Sequence, residues 1–244
     1  MREILADLVA EQQGLDQSLQ RAPDRDWKKR VDGFTVQETI AILAWEEQHA
    51  ARALTGDKTV RKDVNSYDDL DAFVAAGAAK GKGKRPQEVI EWWRFARADV
   101  VDALSRMKAD ERVMWVDGKV SARTFATLRL AETWARGLGI LEGLDKEIVD
   151  TPRLRHVAWL GWATLPHAFK AADEDYDDTV RVELVGPAYA RWVFGPEGSD
   201  QVIRGQAGEW CRLVVGRLDA SKADTLSATG DVAETALEVA SIFL

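Results

Sequence analysis

Val120-Ser121-Ala122-Arg123-Thr124-Phe125-Ala126-Thr127-Leu128-Arg129-Leu130-Ala131-Glu132-Thr133-Trp134-Ala135-Arg136-Gly137-Leu138-Gly139 starts a helix and sustains it. Ser121 is a capping residue, and the helix is expected over residues 122–144. Glu132 and Arg136 are four apart, so they share one face. A Glu followed four residues later by a His would be half of a helix-borne metal site. Here the second position is Arg, permanently cationic and unable to ligate a metal.

Working outward, three more long helices are expected. The first covers residues 2–21, with Leu5, Leu8, Leu15 and Leu19 at bundle spacing. A polar connection, 23–34, leads to Thr35-Val36-Gln37-Glu38, a capping box that opens the second. That helix carries Ile40, Leu43, Ala44 and Ala51 and ends near Thr55-Gly56. A polar stretch and a short Ala-rich segment, 70–79, precede Pro86, which opens the third helix, 87–107. Four long helices argue for an antiparallel bundle. A fifth helix starts at Thr151-Pro152 and reaches about residue 171, with a bend at Pro166.

After residue 172 the pattern changes. An acidic linker, 172–178, precedes Val180-Arg181-Val182-Glu183-Leu184, which alternates with period two as a half-buried strand does. Residues 189–194 read as its hairpin partner, 201–204 and 226–228 as short strands, and 209–218 and 232–244 as helices. The expectation is an α+β chain, mainly α, with two domains: a helical bundle over 1–171 and a small α+β domain over 172–244.

Composition restricts the function. The 244 residues carry a net charge of −8, which argues against nucleic-acid and anionic-membrane partners. The only basic run, Lys80-Gly81-Lys82-Gly83-Lys84-Arg85, is Gly-interrupted and reads as a loop before a helix. One cysteine, Cys211, precludes an internal disulfide and fits a reducing cytoplasm. No apolar run reaches the roughly 18 residues a membrane span needs, and the amphipathic, acid-bearing N-terminus is no signal peptide. Ten Trp residues serve core packing or a ligand pocket.

Four segments carry a resemblance to a known family: residues 34–45, 120–135, Arg153-Leu154-Arg155-His156-Val157-Ala158 and 192–195. They resemble mycothiol-dependent maleylpyruvate isomerase-like proteins, in an actinobacterial branch described mainly as metal-binding. The resemblance spans nearly the whole chain. It implies a DinB-like four-helix bundle followed by a small α+β C-terminal domain. It also implies three metal ligands: a His on the second helix, and a Glu and a His on the fourth. Here those positions read Ile42, Glu132 and Arg136, and a further family His reads Trp159. Two of the three ligands are gone, so the expectation is no metal and no other cofactor. A displaced set of His49, Glu46 and Glu132 would restore one, with mycothiol as co-substrate, if the family chemistry were kept. The bland alternative is that His49 caps the pocket or faces solvent.

Glu132 and Arg136 have two readings. One is a structural i,i+4 ion pair, worth about 0.3–0.5 kcal/mol if exposed. The other puts both in the former metal pocket, with Arg136 anchoring a substrate oxyanion and Glu132 acting as acid or base. Ile42, Trp45, His49, Leu138 and Trp159 would then line a site for a hydrophobic or aromatic molecule. The leading expectation is a metal-independent isomerase or cyclase, plausible in specialised metabolism, acting as a monomer or homodimer. The alternatives are a mycothiol-dependent metal enzyme and a non-catalytic binding protein.

Overall fold

Ile4, Leu8, Leu15 and Leu19 share one face of the first helix, α1 (Arg2–Gln20), and all four are buried. A two-residue hairpin follows, β1 (Arg30–Val31) against β2 (Phe34–Thr35), turned through Asp32 and Gly33 at positive φ. The sequence suggests only a polar connection there; strands this short carry no readable alternation, although Asp-Gly is a hairpin signal. The Thr35 side chain accepts from the Glu38 amide at 3.1 Å, and the Glu38 carboxylate accepts from the Thr35 amide at 2.8 Å. This reciprocal cap opens α2 (Val36–Leu54). Then come α3 (Val60–Val64), α4 (Leu70–Lys80) and α5 (Pro86–Ser105). A second hairpin, β3 (Arg112–Trp115) with β4 (Gly118–Ser121), leads into α6 (Ala122–Gly143), capped by Ser121.

This computed structural model describes residues 1–116 and 118–242, and the chain divides into two compact units, Met1–Ile148 and Val149–Leu244. In the first unit, α2 and α6 run antiparallel, since Glu46 meets Arg136 and Glu47 meets Arg129. α1 and α5 are also antiparallel, since Asp16 meets Arg94 and Gln12 meets Arg97. Yet the N-terminal halves of α2 and α5 fill the same core cluster, with Ile40, Leu43, Val89 and Trp93. The simple antiparallel bundle is therefore corrected: α2 and α5 run parallel. The long connection makes this possible, because α4 carries the chain back along α2. Glycines let it lie close; a Cβ at Gly77 would fall 2.9 Å from Trp45 Cδ1, and one at Gly81 2.7 Å from Ala41 Cβ.

The second unit begins before the expected fifth helix, not after it. That helix is broken at Thr164 into α7 (Leu154–Ala163) and α8 (Leu165–Ala171), with Pro166 in the first turn of α8. A sheet follows, built from β5 (Arg181–Val185), β6 (Arg191–Phe194), β7 (Val202–Gln206) and β8 (Ser227–Thr229), with α9 (Ala207–Val214) between β7 and β8. Strand order is β6-β5-β7-β8; β5 and β7 are parallel and the other pairs antiparallel. The closing helix, α10 (Asp231–Val239), stops well short of the expected end, and Phe243 and Leu244 lie outside the described residues. α7 groups with this unit because it packs on α9: Trp210 Nε1 donates to the Ala158 carbonyl at 3.1 Å. Gly161 faces Val214, where a Cβ would come within 2.7 Å of Cγ1. Gly161→Ala is expected to lower stability by about 1–3 kcal/mol through overpacking, read as a lower melting temperature of the second unit. An unchanged melt would mean α7 and α9 separate freely. No helix among the described residues is long and apolar enough to cross a membrane.

Candidate functional site

α2 carries two adjacent buried acids, Glu46 and Glu47, in a helix whose other buried positions are mostly Ile, Leu and Ala. α6 carries Arg129, Glu132 and Arg136 at i, i+3 and i+7, which puts all three on one face. The two faces meet inside the bundle. Arg136 gives Nη2 to Glu46 Oε1 at 2.6 Å and pairs through Nε with Glu132 Oε1 at 2.5 Å. Arg129 gives Nε to Glu47 Oε1 at 3.2 Å, and its Nη2 lies 3.7 Å from Glu46 Oε2. The layer continues toward α1 and α5. Asp16 takes both Nε and Nη2 of Arg94, at 2.9 and 2.6 Å, and also bonds Arg97. Arg97 donates to the Gln12 carbonyl at 2.6 Å and lies 4.3 Å over the Trp93 ring.

Exposure grades across the cluster. The side chains are 0% exposed at Glu47, 6% at Arg129, 10% at Glu46, 12% at Glu132 and 19% at Arg136. The solvent edge is thus at Arg136 and Glu132. Arg136 Nε and Nη2 are taken by carboxylates, and among the described residues Nη1 is the nitrogen that neither carboxyl holds. At the dry end Glu47 Oε2 and Arg129 Nη2 are buried without a hydrogen-bond partner.

Three carboxyls here face two guanidiniums, and Asp16 with Arg94 and Arg97 brings the whole layer to four acids and four guanidiniums. Burial pushes Glu46 up to about 8 against the pull of Arg136. Glu132 feels the same burial, but Arg136, Arg129 and a hydrogen bond from Glu46 outweigh it and hold its carboxyl below the usual range. Burial also raises Glu47 despite Arg129 beside it. Of the two acids that share Arg136, burial pushes Glu46 toward its neutral form, while the guanidiniums hold Glu132 ionised.

The structure brings together some of the expected residues and separates others. Ile42 is fully buried one turn before Glu46 on α2. Trp45 and His49 face α4 instead: their ring centroids are 4.3 Å apart, both pack on Phe73, and His49 Nδ1 bonds the Trp45 carbonyl at 2.8 Å. His49 is buried, so of its two bland readings, capping the pocket or facing solvent, the second does not hold, and burial lowers its pKa. Leu138 is buried, but about 200° round the helix from Arg136, so it belongs to another face. Trp159 is half-buried on α7 in the second unit.

A divalent ion does not fit these residues. Ile42 offers no donor, and the Arg136 guanidinium already claims both Glu46 and Glu132. The displaced set fails as well: among the described residues, ligand atoms of His49, Glu46 and Glu132 do not come within 4.8 Å of one another. Sequence reasoning misses Glu47, Arg129 and Asp16. Adjacent acids in an apolar helix and an Arg three before Glu132 are the signals that could have found the first two.

Residues 8–140, more than half of the chain, match the family described as mycothiol maleylpyruvate isomerase N-terminal domain. Proteins from two strains of Mycobacterium tuberculosis, both described as uncharacterized, are 30% identical over 243 residues, covering 98% of this chain and 94% of theirs. Crystal structures of the mycothiol-dependent maleylpyruvate isomerase and a mutant of it match with a TM-score of 0.62 at 17% identity, over 93% of this chain and 92% of theirs. The fold is thus the DinB-like bundle with a C-terminal α+β unit. The chain belongs to the mycothiol maleylpyruvate isomerase family.

Proposed function

We propose that this chain is a small-molecule isomerase that works without a metal, on a hydrophobic or aromatic substrate. The observation that carries the reading is Arg136: a guanidinium at a family ligand position, paired with two buried carboxyls. A fixed cation with an N–H that neither carboxyl holds can take a carbonyl or carboxylate oxygen as negative charge develops on it. Glu132, held ionised beside it, is the matching base. The family supports an isomerase-like kind of chemistry; a cyclase is the variant in which the same cation and base close a ring.

An isomerase leaves mass unchanged, which gives a test without a known substrate. The protein is incubated with a small-molecule extract and the products are separated by chromatography with mass detection. The expected result is a mass-neutral conversion that survives EDTA and needs no added mycothiol. It should fall at least 100-fold in Arg136→Ala, within the range for losing one charge-stabilising group. Conversion that requires a transition metal or mycothiol would restore the family chemistry. Tight retention of a compound returned unchanged would make the chain a binding protein.

A further inference from the structure

One face of the sheet in the second unit is core: Val182, Leu184, Trp192 and Ile203 are buried, and Trp162 of α7 stacks on Phe194. The strand register fixes the opposite face, with Arg191 and Val185 in one row, Glu183 and Arg204 in the next, and Arg181 in the third. Glu183 lies 2.7 Å from Arg181, 3.2 Å from Arg204 and 3.8 Å from Arg191. Three guanidiniums share one carboxylate, so these four groups leave a surplus of two positive charges in a chain of net charge −8. The side chains of Arg191 and Arg204 are 73% and 53% exposed. In the turn between β5 and β6, Ala188 and Tyr189 hold φ of 55° and 59°, a strained backbone for residues other than glycine. That turn leaves Tyr189 93% exposed, next to the exposed Val185. A rigid aromatic flanked by arginines is the kind of surface that anchors a protein partner.

The same unit carries the opposite charge. Residues 173–178 hold five acids and no base, and all five acids are exposed. Asp173, Glu174, Asp175 and Asp177 make no ion pair among the described residues. The run is pinned rather than loose: the Tyr176 ring packs on Phe169 at 4.9 Å, and its hydroxyl accepts from the Val180 amide at 3.1 Å. We propose that two copies of this chain associate through their second units, the acidic run 173–178 of each seated on the arginine-bearing sheet face of the other. Run and face flank one strand, β5, so a two-fold axis makes both contacts at once. Face against face is the poorer pairing, because like charges would meet. Four short strands present about 300 Å², below the roughly 800 Å² per partner of a standard interface. Even with the contact made twice, the pair is a weak one. Repulsion between two acidic chains is screened beyond about 8 Å at physiological salt, whereas ion pairs at contact persist. The inference stands apart from the chemistry at Arg136.

Analytical ultracentrifugation of the full chain, up to millimolar concentration at physiological salt, tests the proposal. The expected result is a monomer–dimer equilibrium whose dissociation constant rises at least tenfold in about 1 M salt, where the screening length falls to about 3 Å. Arg191→Glu with Arg204→Glu should weaken association at least tenfold, and so should Asp175→Lys with Asp177→Lys. All four side chains are exposed, so both variants should keep the circular dichroism and melting temperature of the wild type. Mixed in equal amounts, the two variants should recover a dimer. The new glutamates of one meet the new lysines of the other, and the second contact pairs native arginines with native acids. A wild type that stays monomeric at every concentration overturns the proposal; if such a monomer binds an acidic peptide, the face has another occupant. A dimer that survives both charge reversals, or variants that fail to recover one on mixing, overturns it as well.

Discussion

Replacing Arg129 with alanine will lower the stability of the bundle by about 3–5 kcal/mol, the range for stripping one partner from a buried ion pair. Glu47 is 0% exposed, and Arg129 Nε is its hydrogen-bonded cation. With Arg129 gone, the carboxylate must either stay charged in a dry interior or take a proton. The loss should therefore be smaller at pH 5 than at pH 8, because protonation relieves the orphaned charge more cheaply in acid. Removing both charges together, as Glu47→Gln with Arg129→Met, should restore most of the stability, since an apolar replacement of a buried pair is often near neutral. Urea unfolding followed by tryptophan fluorescence measures all three proteins. An Arg129→Ala loss under about 1 kcal/mol would show that water reaches Glu47.

The pH dependence of stability is the second large effect. Glu46 is raised from an ordinary 4.5 to about 8, so between these values the native state holds a proton that the unfolded chain has released. Stability then falls as pH rises. The contribution of Glu46 is complete below about 4.5 and is lost as pH climbs through about 8. Glu47, also raised by burial, adds to the same decline. Glu132 works in the opposite sense: its carboxyl is lowered, so its contribution is present above the ordinary carboxylate range and is lost in acid. The expected result is a decline on the order of a few kcal/mol between pH 5 and 8, given about 1.4 kcal/mol for each tenfold change in proton affinity between the folded and unfolded chain. Glu46→Gln should flatten it and be the more stable protein at pH 8, because its amide mimics the protonated acid. A wild-type stability that is level from pH 5 to 8 would mean Glu46 is ionised in the fold.

Much of the fold is legible in the sequence because its signals are local. Ser121, Pro86 and the Thr35–Glu38 box announce helix starts through side chains within a turn of the backbone they satisfy. The direction of α5 is not legible: nothing local says that α4 will double back along α2, since that depends on glycines meeting Trp45 and Ala41. The domain boundary is misplaced for the same reason. α7 is helical like the bundle, and only its packing on α9 assigns it to the second unit. At the site, Glu132 and Arg136 read as an i,i+4 pair, and they are one. Their depth, and the second claim on Arg136 by Glu46, come from a helix 90 residues away in sequence. Sequence proximity groups Trp45 and His49 with the pocket, whereas Phe73 draws both toward α4.

The opposed pairs between α2 and α6 also act as a vernier. A helix slipped by one turn moves about 5.4 Å, enough to part Glu46 from Arg136 and Glu47 from Arg129 at once. A leucine seam would tolerate that slip by exchanging one apolar neighbour for the next. Here every misaligned packing strands charges in the interior, so the layer that adds little net stability leaves α2 and α6 a single alignment.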